Sequence, residues 1–98
     1  MTEYYVKAAF VDGDAETLSA SVDERVKLVV DGEIRATTLD GFVAYATRRA
    51  KADAAVDYAE QPDPHVYTVS CRVGAETHEL VFGDPPEHRV VEWRVAAG

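Results

Sequence analysis

Cys71 and His78 are the residues of this 98-residue chain whose types and spacing most directly suggest chemistry. Gly74-Ala75 suits a type II′ turn, which wants glycine first. Such a turn sets a strand over residues 65–73 against a strand over 76–82, and that register faces Cys71 with His78. A thiol beside an imidazole can become a thiolate nucleophile or a metal-binding pair. The same strand face carries Tyr67, Val69, Leu80 and Phe82, which is a core pattern, and a buried cysteine behaves as a small hydrophobe. No third orienting group and no glycine-rich oxyanion loop accompanies the pair. The expected binding residues are therefore Cys71, His78, Tyr67 and Trp93, with no catalytic residue assigned.

The other candidate constellations are weaker. His65, His78 and His88 have neither the spacing of a helical HxxxH nor that of a Cys-x-x-Cys ribbon. Asp12, Asp14 and Glu16 alternate like the opening of a calcium loop. Thr17 stands where that loop needs glycine, and Asp23 where it needs a bidentate glutamate. No metal and no other cofactor is expected. Arg48, Arg49 and Lys51 form the only dense basic patch, and a helix C-terminus would welcome that charge.

Composition narrows the classes further. The length favours one domain over residues 1–98, and 47% hydrophobic residues are enough for a modest core. A single cysteine excludes an intrachain disulfide framework. The N-terminal stretch has no basic region followed by an apolar one, and no run approaches a membrane span, so the cytoplasm is the expected location. A net charge of −8 opposes nucleic acid and anionic membranes as partners. It favours a basic protein partner, or serves solubility alone.

The elements that must position these residues follow from turns and periodicity. Asp12-Gly13 and Asp31-Gly32 each lie between apolar-rich runs, a hairpin signal. With Val30-Asp31-Gly32 as a three-residue bulged loop, Leu28 faces Ile34 and Val26 faces Ala36, which gathers the apolar residues on one side. The same rule at Val11-Asp12-Gly13 pairs Val6 with Leu18 and Tyr4 with Ala20. Both glycines should then sit at positive φ. Thr37 is the expected cap of a helix with Asp40 as its capping-box partner, and Leu39, Phe42, Val43, Ala46 and Ala50 form its inward stripe. Asp53 has the type of a fresh N-cap leading into 54–60, which reads either as a break near Ala52 or as one helix whose exposed side changes. Gln61-Pro62-Asp63-Pro64 ends it. Val91, Trp93 and Val95 alternate as a last strand, with a helix capped by Asp84 as the rival reading.

The predicted fold is α+β: an antiparallel sheet of about seven strands in ββββ-α-βββ order, with the central helical segment packed on one face. The open face can be covered by a second copy, making a homodimer. The segment from Val66 to Val73 and onward to Glu92-Trp93 has the order hairpin, Pro-Pro, short apolar stretch with tryptophan. In that order, over about a third of the chain, it resembles the C-terminal part of emfourin-type metalloprotease inhibitors. The Ser-Gly-Gly-Phe-like stretch associated with that family is missing, and the resemblance carries over no functional residue.

Two functional readings follow. The first is a small acidic module without catalytic activity that acts through protein contacts, an inhibitor being one version. The second is a small enzyme or ligand-binding domain with a pocket between helix and sheet near Cys71 and His78. The helix offers mainly alanine to the sheet, at Ala46, Ala50 and Ala54, so close layers without a large pocket are expected.

Overall fold

A computed structural model describes residues 2–51, 54–58, 68–83 and 89–97. Its order is α1 (Thr2–Phe10), a 3₁₀ turn (Ala15–Leu18), β1 (Val22–Val30), β2 (Glu33–Ala36), α2 (Leu39–Arg49), β3 (Val56–Tyr58), β4 (Thr68–Val73), β5 (Glu76–Phe82) and β6 (Val90–Ala97). The six strands form one sheet in the order β2-β1-β6-β5-β4-β3. Every pairing is antiparallel except β1 with β6, which is parallel. The α+β class is as expected. The sheet is mixed, not all antiparallel, and has six strands among the described residues.

The largest correction is at the N-terminus. Residues 2–10 form a helix in place of the first hairpin, so Val6 and Tyr4 do not pair with Leu18 and Ala20. Val6, Ala9 and Phe10 stand at i, i+3 and i+4, which is helical spacing, and all three are buried. The Asp12-Gly13 pair ends this helix instead of turning a hairpin. Gly13 takes φ +69, and the Asp12 and Asp14 amides donate back to the Lys7 and Ala8 carbonyls at 2.9 and 2.7 Å. A left-handed glycine after a helix satisfies orphan carbonyls in this way. The 3₁₀ turn that follows buries Ala15 and Leu18.

The β1–β2 hairpin is present, but its loop differs from the expected one. Val30 pairs with Glu33, so the loop is the two residues Asp31-Gly32. Their φ values of +50 and +84 are those of a type I′ turn, whose twist matches the strands. The register shifts opposite the step from Leu28 to Val29, where Arg35 of β2 is the extra, bulged residue. Leu28 therefore pairs with Ala36, and Ile34 pairs with Val29. Leu28 and Ala36 are buried, whereas Ile34 is 57% exposed. Asp31 further ties the turn to β6: its amide donates to the Val95 carbonyl, and its Oδ1 accepts from the Ala97 amide at 2.9 Å.

Gly32 has positive φ as expected, and a Cβ there would meet nothing within 4 Å. Substitution therefore acts through backbone strain alone. Gly32→Ala should lower unfolding free energy by about 1 kcal/mol and Gly32→Val by more, since β-branching makes positive φ costlier. Urea unfolding measures both, and an unchanged Gly32→Val midpoint would reject the turn.

α2 begins one residue later than expected. Thr38, not Thr37, is the cap, and its Oγ1 accepts from the Gly41 amide at 3.1 Å. Phe42 and Ala46 are buried, and Leu39 and Val43 pack partly buried beside them. The expected helical stretch after Asp53 is replaced over 56–58 by β3, which pairs with β4. A β-branched Val56 and an aromatic Tyr58 suit a strand, and the Ala55 carbonyl accepts from the Gly74 amide at 2.9 Å. Asp53, the proline segment at 61–64 and Asp84 lie outside the described residues. β6 is a strand, as expected, but Val90 is buried beside Trp93 and Val95 while Val91 is exposed, because the register against β5 shifts at Val81 and Phe82.

The core lies between the two α-helices and one face of the sheet. Val26, Leu28, Cys71, His78, Leu80, Trp93 and Val95 come from the strands, and Val6, Ala9, Phe10, Phe42 and Ala46 from the helices. Among the described residues, no helix is long and apolar enough to cross a membrane.

Candidate functional site

Cys71 and His78 do face each other across β4 and β5, as the Gly74-Ala75 turn requires. Gly74 sits at φ +56. Both side chains are fully buried. The Cys71 thiol lies 3.2 Å from the Asp57 carbonyl on β3, to which it donates. A cysteine buried in an apolar core behaves as a small hydrophobe with a weak S–H donor.

His78 is fixed by Trp93. The indole Nε1–H donates to His78 Nδ1 at 2.9 Å. Neutral histidine has one donor and one acceptor nitrogen, so this bond puts the proton on Nε2. No described group accepts a hydrogen bond from Nε2. Glu76 Oε1 lies 3.7 Å away, and Glu76 Oε2 lies 3.6 Å from Arg49 Nη2 at the end of α2. Burial lowers the His78 pKa from 6.5 to about 4, and the Glu76 carboxylate opposes that shift only in part. At neutral pH the ring is uncharged, and its accepting nitrogen is engaged.

Two further rings close over this pair. Phe10 meets His78 edge-on with centroids 4.6 Å apart, and lies 5.5 Å from Trp93. Phe42 lies 4.9 Å from Trp93. Edge-to-face and tilted pairs are the favoured aromatic geometries. Of the expected binding residues, Cys71, His78 and Trp93 thus come together inside the core, and Tyr67 lies outside the described residues. His65 and His88 also lie outside them. No group of three or more metal-binding side chains occurs among the described residues.

An open site lies elsewhere. A cleft of about 540 Å³ runs between the 3₁₀ turn and α2, lined by Glu16, Ser19, Leu39, Asp40, Val43 and Ala44. A second, of about 320 Å³, adjoins it through Leu39 and Asp40 and adds Glu24 and Thr38. Local structure explains the lining. Burial of Ala15 and Leu18 turns Glu16 outward, and the α2 stripe at Phe42 and Ala46 leaves Leu39 and Val43 on its flank. The result is an aliphatic floor with Glu16, Glu24 and Asp40 at its edge and no cation among the described residues that line it. Sequence reasoning placed Leu39 and Val43 in the core stripe and missed this cleft. The available signal was the wide stripe on α2 beside an acidic turn.

No protein-family model matches the sequence, and no curated protein matches it. The described residues of the segment that resembles emfourin-type inhibitors lie in β4, β5 and β6 and their flanks. Solved structures do resemble the chain. A DUF4783 family protein from Bacteroides ovatus matches with a TM-score of 0.72 and 14% identity, over 96% of this chain and 93% of that one. A protein from Sphaerobacter thermophilus matches with a TM-score of 0.64 and 16% identity, over 99% and 91%. An NTF-2 like protein of unknown function from Silicibacter pomeroyi matches with a TM-score of 0.59 and 15% identity, over 99% and 88%. At these identities the likeness is one of fold, and the chain has an α+β architecture similar to that of an NTF-2 like protein.

Proposed function

We propose that this chain is a binding module without catalytic activity, and that it receives a basic, partly apolar segment of a protein partner in the cleft beside α2. The observation that carries the reading is the cleft's lining: Leu39 and Val43 below, Glu16, Asp40 and Glu24 at the edge. A segment alternating aliphatic and lysine or arginine side chains meets both demands at once. The net charge of −8 adds long-range attraction for such a partner. The rival reading, an enzyme or ligand-binding domain at Cys71 and His78, has less support. Trp93 occupies the accepting nitrogen of His78, and the thiol is bonded to a backbone carbonyl.

The test uses a short peptide of alternating lysine and leucine as probe. Its association rate should fall steeply as ionic strength rises toward about 0.15 M, where the Debye length is about 8 Å. Glu16→Gln with Asp40→Asn should slow association at low salt severalfold and flatten the salt dependence. A rate indifferent to salt and to both substitutions would reject the reading.

A further inference from the structure

We infer, on the basis that the cleft beside α2 receives a basic segment, that the same cleft takes a free linear polyamine, which competes there with the protein partner. A polyamine of this kind is a chain of ammonium groups joined by short methylene links. It would act as a small-molecule regulator of the partner contact.

The two clefts form one path. Leu39 and Asp40 line both, Glu16 lines only the first, and Glu24 only the second. The carboxylates therefore follow in the order Glu16, Asp40, Glu24, with Asp40 at the junction. All three residues are exposed. They do not gather around one point, since no group of three or more metal-binding side chains occurs among the described residues. A hard divalent cation wants about six or more oxygen ligands around a single centre. Carboxylates strung along a path suit charge strung along a chain instead.

The floor selects the links between the charges. Leu39 and Val43 stand four positions apart on one flank of α2, both partly buried, and Ala44 continues the apolar lining. Methylene groups laid on this floor leave water, while the ammonium groups at their ends stay wet beside the carboxylates. Each cleft also holds a hydroxyl, Ser19 in the first and Thr38 in the second. Thr38 Oγ1 accepts from the Gly41 amide, and its second lone pair can accept from an ammonium. Aliphatic ammonium groups are charged at neutral pH, as that of lysine is. Volumes of about 540 and 320 Å³ lie in the range of small-molecule sites.

The net charge of −8 draws any multivalent cation toward the chain, so seating in the cleft must be told apart from screening. Displacement of a fluorescent lysine–leucine peptide from the full chain, at fixed ionic strength, does this. Spermidine is the probe. Hexaamminecobalt(III) is a compact ion of the same charge without methylenes, and putrescine is a shorter diamine. Spermidine should displace the peptide at concentrations at least about tenfold below those the other two need. Leu39→Asn, which breaks the floor, should bring spermidine close to hexaamminecobalt(III). Val43→Thr keeps the shape of the side chain and serves should Leu39→Asn fail to fold, which circular dichroism decides. Glu24→Gln should weaken spermidine severalfold. Amide shifts caused by spermidine should appear at Glu16 and Ser19 and at Glu24 and Thr38 together.

Equal displacement by spermidine and hexaamminecobalt(III) overturns the inference and leaves the peptide site standing. So does a spermidine advantage that the folded floor variants keep. A peptide that does not bind at all removes the cleft reading, and the polyamine site with it.

Discussion

Phe10→Ala should lower the unfolding free energy by about 3–5 kcal/mol, the range for removing a buried aromatic ring. Phe10 is buried at the end of α1, and its ring meets three others: Phe42 at 6.1 Å, His78 at 4.6 Å and Trp93 at 5.5 Å between centroids. Those partners come from α2, β5 and β6, so the ring joins the helical layer to the centre of the sheet. The alternative of an N-terminal hairpin would put Phe10 next to a surface loop, where the same change would cost little. Tyr4→Ala is the control, because Tyr4 is 56% exposed on the same helix. It should cost less than about 1 kcal/mol, as surface substitutions usually do. Urea unfolding of the three proteins measures the difference, and a mild Phe10→Ala would contradict α1 and its packing.

The second large effect is a dependence of stability on pH set by His78. Unfolded, its imidazole takes up a proton as pH falls through about 6.5. Folded, it resists until about 4, because burial opposes the charge. Between those values the unfolded state binds more protons, so stability falls as pH falls. The loss approaches about 3 kcal/mol across the window, because each tenfold difference in proton affinity is worth about 1.4 kcal/mol. Carboxylates with ordinary values titrate in the lower part of this window, so the span from about 6.5 to 5 is the cleanest. Protonation also places a second N–H on Nδ1, facing the Trp93 indole donor, and breaks that bond. His78→Asn keeps an acceptor near Nδ1 and cannot titrate. It should be less stable at neutral pH, from lost ring volume, with a nearly flat profile over about 6.5 to 5. A wild-type profile as flat as the variant's would show that His78 is not buried neutral.

These two side chains also show what could be read from the sequence. The Cys71–His78 pairing was legible because a two-residue Gly-Ala turn fixes the register of both strands, and period-2 alternation fixes the face. α2 was legible because Phe42, Val43 and Ala46 keep helical spacing after a threonine cap. The N-terminal helix was not. Tyr4 and Val6 alternate as a strand would, Val6, Ala9 and Phe10 repeat as a helix would, and Asp12-Gly13 serves either a hairpin or a helix end. The bond between Trp93 and His78 was hidden for a different reason. It depends on the register of β6 against β5, where Leu80 faces Trp93 and His78 faces Val95, and no two-residue turn joins those strands to fix that register. The cleft was hidden likewise, since it exists only where the 3₁₀ turn docks beside α2.

Where a basic ligand lands on the chain decides most directly whether the cleft beside α2 is the binding site. Titration of isotope-labelled chain with the lysine–leucine peptide, followed by amide and methyl chemical shifts, locates it. The expected map centres on Leu39, Asp40, Val43 and Ala44 of α2 and on Glu16 and Ser19 beside it, with Cys71, His78 and the outer sheet face unmoved. Shifts centred on Cys71 and His78, or on the outer face, or none at saturating peptide, would contradict it.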